Sequence, residues 1–366
     1  MECSEKLVWS SYNFENLKKL SLCPPNKNVY KMVVDHWDHV AKPIDGLGTF
    51  EKVIARIGAI SGTEKIHISK RAVIIMCADN GIVEEGISQS GQEVTAIVAG
   101  KMGDFQSSVG KMARMIGMDT IPVDIGINCA TPISGVLNRK VRLGTRNFMK
   151  EPAMTEEETV QAIAAGIDMV RECKEKGYQI LATGEMGIGN TTTSSALTAA
   201  LLGCEARTVT GRGAGLDDAR LEKKIKVIES GLEKYDLRGT YAFRTLSCVG
   251  GLDIAGLSGV CIGGALYHVP VILDGVISQV SALVAERMVP GTKEFLIASH
   301  VGKEPASKML LDELGLVAVI DAGLALGEGT GAVMMMGLLD MALSVYNSKT
   351  TFDDMKIEQY ERFQKS

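Results

Sequence analysis

The chain has no excess of basic residues, no apolar run of membrane-spanning length and no paired-cysteine motif. Lys and Arg number 39 against 44 Asp and Glu, a formal net charge of −5, so the basic footprint of a nucleic-acid binder is missing. Every apolar stretch is broken by glycine, charge or polar residues before it reaches the ~20 residues a membrane-spanning helix needs. The first residues, MECSEKLVWSSYNFENL, carry acids and no basic segment leading into an apolar one. No secretory signal is therefore expected, and the protein is expected to be cytoplasmic. None of the eight cysteines forms a C-x-x-C pair, which argues against a zinc knuckle or redox motif and for reduced structural thiols. Five histidines give one cluster, DHWDHV, whose His36 and His39 read as a polar helix face beside Trp37 rather than as metal ligands.

What is present is a soluble globular balance, 46% hydrophobic and 23% charged over 366 residues, enough for one large domain and a smaller one. There is no low-complexity stretch and no repeat of solenoid period. The 40 glycines gather behind short apolar runs: AVIIMCADNGI (72–82), TIPVDIGI (120–127), QILATGEMGIGN (179–190), VPVILDGVIS (269–278), EFLIASH (294–300) and GLVAVIDAGLALGEG (315–329). Helical patterns alternate with them, one opening on Thr155 and Glu158 at capping-box spacing. Continuous apolar strands alternating with helices predict an α/β fold, a Rossmann-like parallel sheet buried on both faces. Ligands of such sheets bind outside the carboxyl ends of the strands. Those ends carry Asp79, Asp124, Glu185, Asp274, His300 and Glu328, which argues for an enzyme rather than a scaffold. Residues 1–65 read as strandless helices broken at Lys42-Pro43 and at Gly46 and Gly48, and 348–366 as helical again. The expected organisation is a small helical domain from 1–65 plus 348–366 on a catalytic domain of 66–347.

Three stretches carry chemistry. In TGEMGIGNTTTSSALTAALLG (183–203) a strand runs through Gly184, Gly187 and Gly189 into a helix opened by Asn190 and Thr191. Converging N–H groups and a helix N-terminus suit a phosphate or carboxylate. The G-K-[ST] ending of a P-loop is absent and the spacing is wrong for a dinucleotide fingerprint; a turn built for close helix–sheet packing is the alternative. GRGAGLDD (211–218) precedes a helix with Asp217 at its N-cap position and Lys223 and Lys224 further in. Either lysine can neutralise a phosphate, or the pair can form a solvated face. In ALGEGTGA (325–332), Glu328 stands between glycines with apolar runs on both sides. A carboxylate walled by apolar groups has a raised pKa and suits general-base work.

These motifs, with KPIDGLGTFE, ADNGIVEEGIS, QEVT, GTRNF…EPAMT, ILDGVIS, SHVGKEP and TFDD, resemble in order and over most of the chain the nicotinate-nucleotide:dimethylbenzimidazole phosphoribosyltransferases, the CobT-type enzymes. The resemblance implies transfer of phosphoribose from nicotinate mononucleotide to an aromatic lower-ligand base for cobamide (vitamin B12) biosynthesis, with release of nicotinate and an α-linked product. It makes Glu328 the general base. It puts Glu185, Gly187, Gly189, Asn190, Thr191, Lys224 and Gly302 on the donor and its phosphate, and Asp79, Gln92 and Leu326 on the acceptor. It also implies a small helical domain built from both chain ends, and dimers. No metal or cofactor is expected, because the pyridinium leaving group departs as a neutral ring nitrogen. Departures fall partly on the acceptor side: Ala-Asp-Asn-Gly at 78–81, Gly91 before Gln92, and the SHVGKEPASK stretch differ from the family's usual residues. Relatives that act on other benzimidazoles, purines, phenol or p-cresol keep the acceptor open, the phenolic ones working as paired paralogous subunits. Homodimer and heterodimer both follow as expectations, with a non-catalytic partner subunit or a nicotinamide-dependent dehydrogenase as readings of another class.

Overall fold

The computed structural model describes residues 13–348 and 350–362. Strands β1 (Arg71–Ala78), β2 (Asp119–Gly126), β3 (Leu137–Asn138), β4 (Ile180–Met186), β5 (Val271–Leu273) and β6 (Leu296–Ala298) form one sheet in the order β3-β2-β1-β4-β5-β6. Every pairing in it is parallel. β7 (His300–Gly302) and β8 (Ile320–Leu324) pair in parallel as a second, two-stranded sheet.

Helices α1 (Phe14–Lys18), α2 (Lys27–His39) and α3 (Thr49–Ser61) precede β1. Helices α4 (Glu93–Gly103) and α5 (Ser108–Met115) link β1 to β2, and α6 (Glu156–Glu175) leads to β4. The crossover from β4 to β5 holds α7 (Asn190–Leu202), α8 (Ala206–Val209), α9 (Asp218–Tyr235), α10 (Ala242–Val249) and α11 (Leu252–Leu266). Then come α12 (Val276–Met288), α13 (Ala306–Leu314) between β7 and β8, α14 (Thr330–Tyr346) and the single turn α15 (Phe352–Met355).

The central strand shows why the sheet lies between two helix layers. All eight residues of β1 are buried. Because side chains alternate along a strand, Ala72, Ile74 and Met76 enter a core with α6, α11 and α12. Val73, Ile75 and Cys77 enter another with α2, α3, α5 and α14. A strand apolar at every position is therefore satisfied on both faces. The capping box expected at α6 is present: Thr155 Oγ1 accepts the Glu158 N–H at 3.1 Å and Glu158 Oε2 accepts the Thr155 N–H at 2.8 Å.

The segment 38–45 meets the segment 351–362. Val40 bridges antiparallel to Thr351, and the Arg362 guanidinium donates to Asp38 and Asp45 at 2.6–3.0 Å. Val33, Trp37 and Ile54 nonetheless share one hydrophobic cluster with β1. His36 and His39 bond to backbone, Nε2 to the Tyr346 carbonyl at 2.8 Å and Nδ1 to the Asp35 carbonyl at 2.7 Å, as befits a polar helix face.

Three expectations need correction. Among the described residues the tail is helical for one turn, stopped where Lys356 turns left-handed at φ 54°. The run 315–329 is not a buried strand: β8 is the edge of the small sheet, Val317 is 69% and Leu326 55% exposed, and while Leu316 is buried, Ala318, Val319 and Ile320 pack inward only in part. Thiols are not reduced throughout. Six cysteines are free, Cys23 is disulfide-bonded, and Cys3 lies outside the described residues.

Candidate active site

The sheet order reverses between β1 and β4, which opens a crevice at the carboxyl ends of the strands. A cavity of about 230 Å³ lies there, walled by the segments after β4, β5, β7 and β8. Four of the six strand-end groups line it: Glu185, Asp274, His300 and Glu328. Asp79 and Asp124 do not.

Glu328 owes its position to an unusual turn. Gly327, Glu328 and Gly329 are consecutive left-handed residues, at φ 83°, 61° and 93°, a run that only glycine-flanked sequence accepts at small cost. Space demands glycine too, since a Cβ on Gly329 would lie 2.8 Å from Val73 Cγ2. Gly184, near the end of β4, lets the turn press on the strand, for a Cβ there would lie 2.6 Å from the Glu328 carbonyl oxygen.

Asp274 anchors the turn from below. It accepts the N–H groups of Gly329 at 3.1 Å, Gly331 at 2.8 Å and Ala332 at 3.1 Å, so a buried carboxylate caps α14. The Glu328 carboxylate accepts the N–H of Val109, in the first turn of α5, at 3.4 Å. Burial raises its pKa above the usual carboxylate range, with the Asp274 charge adding and the Val109 N–H opposing. The result is a fixed, partly desolvated carboxylate suited to taking a proton.

Glu185 stands beside it, partly buried. Its Oε1 accepts the Glu328 N–H at 3.4 Å and its Oε2 accepts from Asn190 Nδ2 at 2.5 Å. Burial pushes Glu185 up to about 8, opposed by the Asn190 amide and reinforced by Asp253 and Asp274. Gly187, Gly189, Asn190 and Thr191 line the cavity along the start of α7, and Gly302 lines it from β7. The Gly302 N–H already donates to Ser307 Oγ at 2.8 Å.

The two lysines part company, as helix phase requires: Lys223 is exposed while Lys224 is fully buried. Lys224 Nζ donates to Thr191 Oγ1 at 3.0 Å and to the Gly211 carbonyl at 3.2 Å. Burial lowers its pKa to about 8, with Glu304 pulling upward. It reaches the cavity wall only through Thr191.

Of the residues expected on the acceptor side, Leu326 lines the cavity. The others are engaged elsewhere. Asp79 accepts from Thr95 Oγ1 at 2.6 Å and from the Asn128 N–H at 2.8 Å. Gln92 donates to the Asn80 carbonyl at 3.1 Å and accepts from Asn128 Nδ2 at 3.1 Å. Sequence reasoning missed Arg212 and Lys303, basic side chains on the cavity wall. Each is a cation set among small residues in an already quoted motif, and that contrast was the available signal.

The phosphoribosyltransferase family profile matches residues 22–357. The chain belongs to the phosphoribosyltransferase family. This transferase is 41% identical over 348 residues to the nicotinate-nucleotide:dimethylbenzimidazole phosphoribosyltransferase of Acetivibrio thermocellus, across 95% of this chain and 99% of that relative. The correspondingly named protein of Citrifermentans bemidjiense is 41% identical over 87% of this chain and 91% of its own length. The crystal structure of CobT from Thermus thermophilus superposes with a TM-score of 0.86 at 35% identity, covering 91% of this chain and 100% of that one.

Proposed function

We propose that this phosphoribosyltransferase moves the phosphoribosyl group of nicotinate mononucleotide to 5,6-dimethylbenzimidazole or an analogous aromatic base, giving an α-ribotide and nicotinate for cobamide synthesis. The observation that carries the reading is the cavity-lining Glu328, fixed by its three-residue left-handed turn and raised in pKa by burial. The names of the two relatives, each 41% identical, supply the substrate class.

In the reaction the glycosidic bond breaks and nicotinate leaves with the electron pair as a neutral pyridine nitrogen. An acceptor ring nitrogen bonds to the same ribose carbon, and its proton passes to the Glu328 carboxylate. One positioned base of this kind contributes roughly 10²–10⁴-fold, and holding two rings in line contributes by proximity. Glu185 and the start of α7 face the donor, with Lys224 behind Thr191 and Arg212 and Lys303 as cations for its phosphate. Leu326 faces the acceptor.

The chain ends joined by the Val40–Thr351 bridge and Arg362 support a helical lobe from 1–65 and 348–366 beside a catalytic 66–347. The exposed Val317, Leu326, Met334 and Met341 support a dimer. The test is an acceptor panel of benzimidazoles, adenine, phenol and p-cresol with nicotinate mononucleotide and the purified chain, beside native mass spectrometry. Nicotinate release with an aromatic base by the homodimer is expected. Inactivity with every acceptor unless a paralogous chain is added would overturn the single-chain reading.

A further inference from the structure

Beneath Glu185 lies a second carboxylate that does not reach the cavity. Asp253 is fully buried at the start of α11 and belongs to none of the motifs above. One amide links the two acids: Asn190 Nδ2 donates to Glu185 Oε2 at 2.5 Å and to Asp253 Oδ2 at 3.0 Å. The other Asp253 oxygen accepts the Ile254 N–H at 3.0 Å. The backbone is cleared around the link, since a Cβ on Gly187 would lie 2.5 Å from Asp253 Oδ2 and one on Gly251 2.4 Å from Oδ1. The charges acting on Glu185 are carboxylates, Asp253 and Asp274. Glu328 meets it through its N–H, the Cys77 thiol of β1 lies within its field, and His300, Arg212 and Lys303 line the same cavity.

We propose that Asp253 is a positioning residue: through the Asn190 amide it fixes Glu185, and its own negative charge, added to burial, disfavours ionisation of the Glu185 carboxyl. Two carboxylates sharing one donor in a water-poor site do not both ionise readily. Burial pushes Asp253 to about 6 and Glu185 to about 8, so the proton is given up first by the residue away from the ligand. A neutral Glu185 then meets a donor carrying phosphate and carboxylate without opposing it. The inference rests on the donor reading above. Under it, KM for nicotinate mononucleotide rises as pH passes about 8, whereas kcat does not follow that inflection.

Asp253→Asn keeps the shape and an acceptor for Asn190 but removes the charge. The KM inflection is expected to move down by about one unit or more, to vanish in Glu185→Gln, and to be absent likewise in the double variant. A purely structural Asp253 would change activity or Tm at all pH values and leave the inflection in place, which overturns the proposal. A readout free of catalysis is the carboxyl carbon resonance of Glu185 in protein labelled at glutamate, assigned by its loss in Glu185→Gln. At pH 7 it is expected to be protonated in the native chain, with its titration displaced downward in Asp253→Asn by the same amount as the KM inflection. An ionised native Glu185 overturns the proposal. Should Asp253→Asn fail to fold, Asp253→Ser removes the charge instead, and an unmoved Glu185 titration in it overturns the proposal. Absence of turnover with every acceptor refutes the donor reading, while the resonance still decides the role of Asp253.

Discussion

Replacing Gly329 with alanine tests whether the turn that presents Glu328 exists for the reasons given. At φ 93° and ψ 9° an L-residue costs about 1–2 kcal/mol in backbone strain. The new Cβ would stand 2.8 Å from Val73 Cγ2 and 3.1 Å from the Thr183 carbonyl oxygen, and overpacking of this kind adds roughly 1–3 kcal/mol. The sum is about 2–5 kcal/mol. Gly323 supplies the control: it is also left-handed, at φ 63°, but nothing lies within 4 Å of its Cβ position. Gly323→Ala should therefore cost only the strain, about 1–2 kcal/mol. With an unfolding entropy of ~2.1 cal/mol/K per residue, a chain of 366 residues loses ~1.3 °C per kcal/mol. Gly329→Ala should lower Tm by about 3–6 °C and Gly323→Ala by about 1–3 °C, read by circular dichroism. Turnover should fall in the first alone, because only there does the backbone carrying Glu328 shift. Equal Tm losses, or full activity in Gly329→Ala, would refute the reasoning.

Glu328→Gln should cut kcat by roughly 10²–10⁴-fold without lowering Tm, because the amide oxygen still accepts the Val109 N–H and a poorly solvated charge is gone; unchanged turnover would remove Glu328 as the base. Asp274→Asn places an amide where the Gly329 N–H needs an acceptor, and should cost about 1–3 kcal/mol in urea unfolding, together with activity through the displaced turn. Glu185 and Asp253 hold protons in the folded chain up to about 8 and 6, against ordinary values of 4.5 and 3.8. The folded state therefore binds more protons than the unfolded one across this window, and stability falls as pH rises from about 4 to about 8. His300, whose pKa is lowered by burial, opposes this near its ordinary pKa, so the decisive measurement is a difference: Glu185→Gln should flatten the decline by several kcal/mol, and an unchanged slope refutes the assignment.

The sheet was legible because its strands advertise themselves. A run such as AVIIMCA admits only a place buried on both faces, and the acids behind such runs mark the carboxyl ends. Whether a strand belongs to the main sheet is another matter. GLVAVIDAGLAL is as apolar as β1, yet it pairs with β7 at an exposed edge, since partner choice is decided by residues far away in the chain. Asp274 shows the same limit. Its position after a strand was visible, but its role is to cap a helix that begins 56 residues later at Thr330, and no local pattern links the two. The division between Lys223 and Lys224 depends on the rotation of α9 against Thr191 and Gly211, which adjacency in sequence conceals.

The same long-range logic bears on which ring takes the phosphoribose. Asp79 and Gln92 were expected against the acceptor, but both spend their polar atoms on Asn128, Thr95 and Asn80. They fix the loop after β1 and, through it, Ile87, Ser88 and Gln89 on the cavity wall. Under the proposed acceptor role of Leu326, which lines the same cavity, differences in acceptor choice are expected to reach the cavity through that loop. On this account, substitutions at Asn80 or Gly91 alter acceptor preference without touching the acceptor. In the acceptor panel, Asn80→His should change the ratio of kcat/KM between benzimidazole and phenol. A proportional loss with every acceptor would instead mean that the loop serves only to hold the fold.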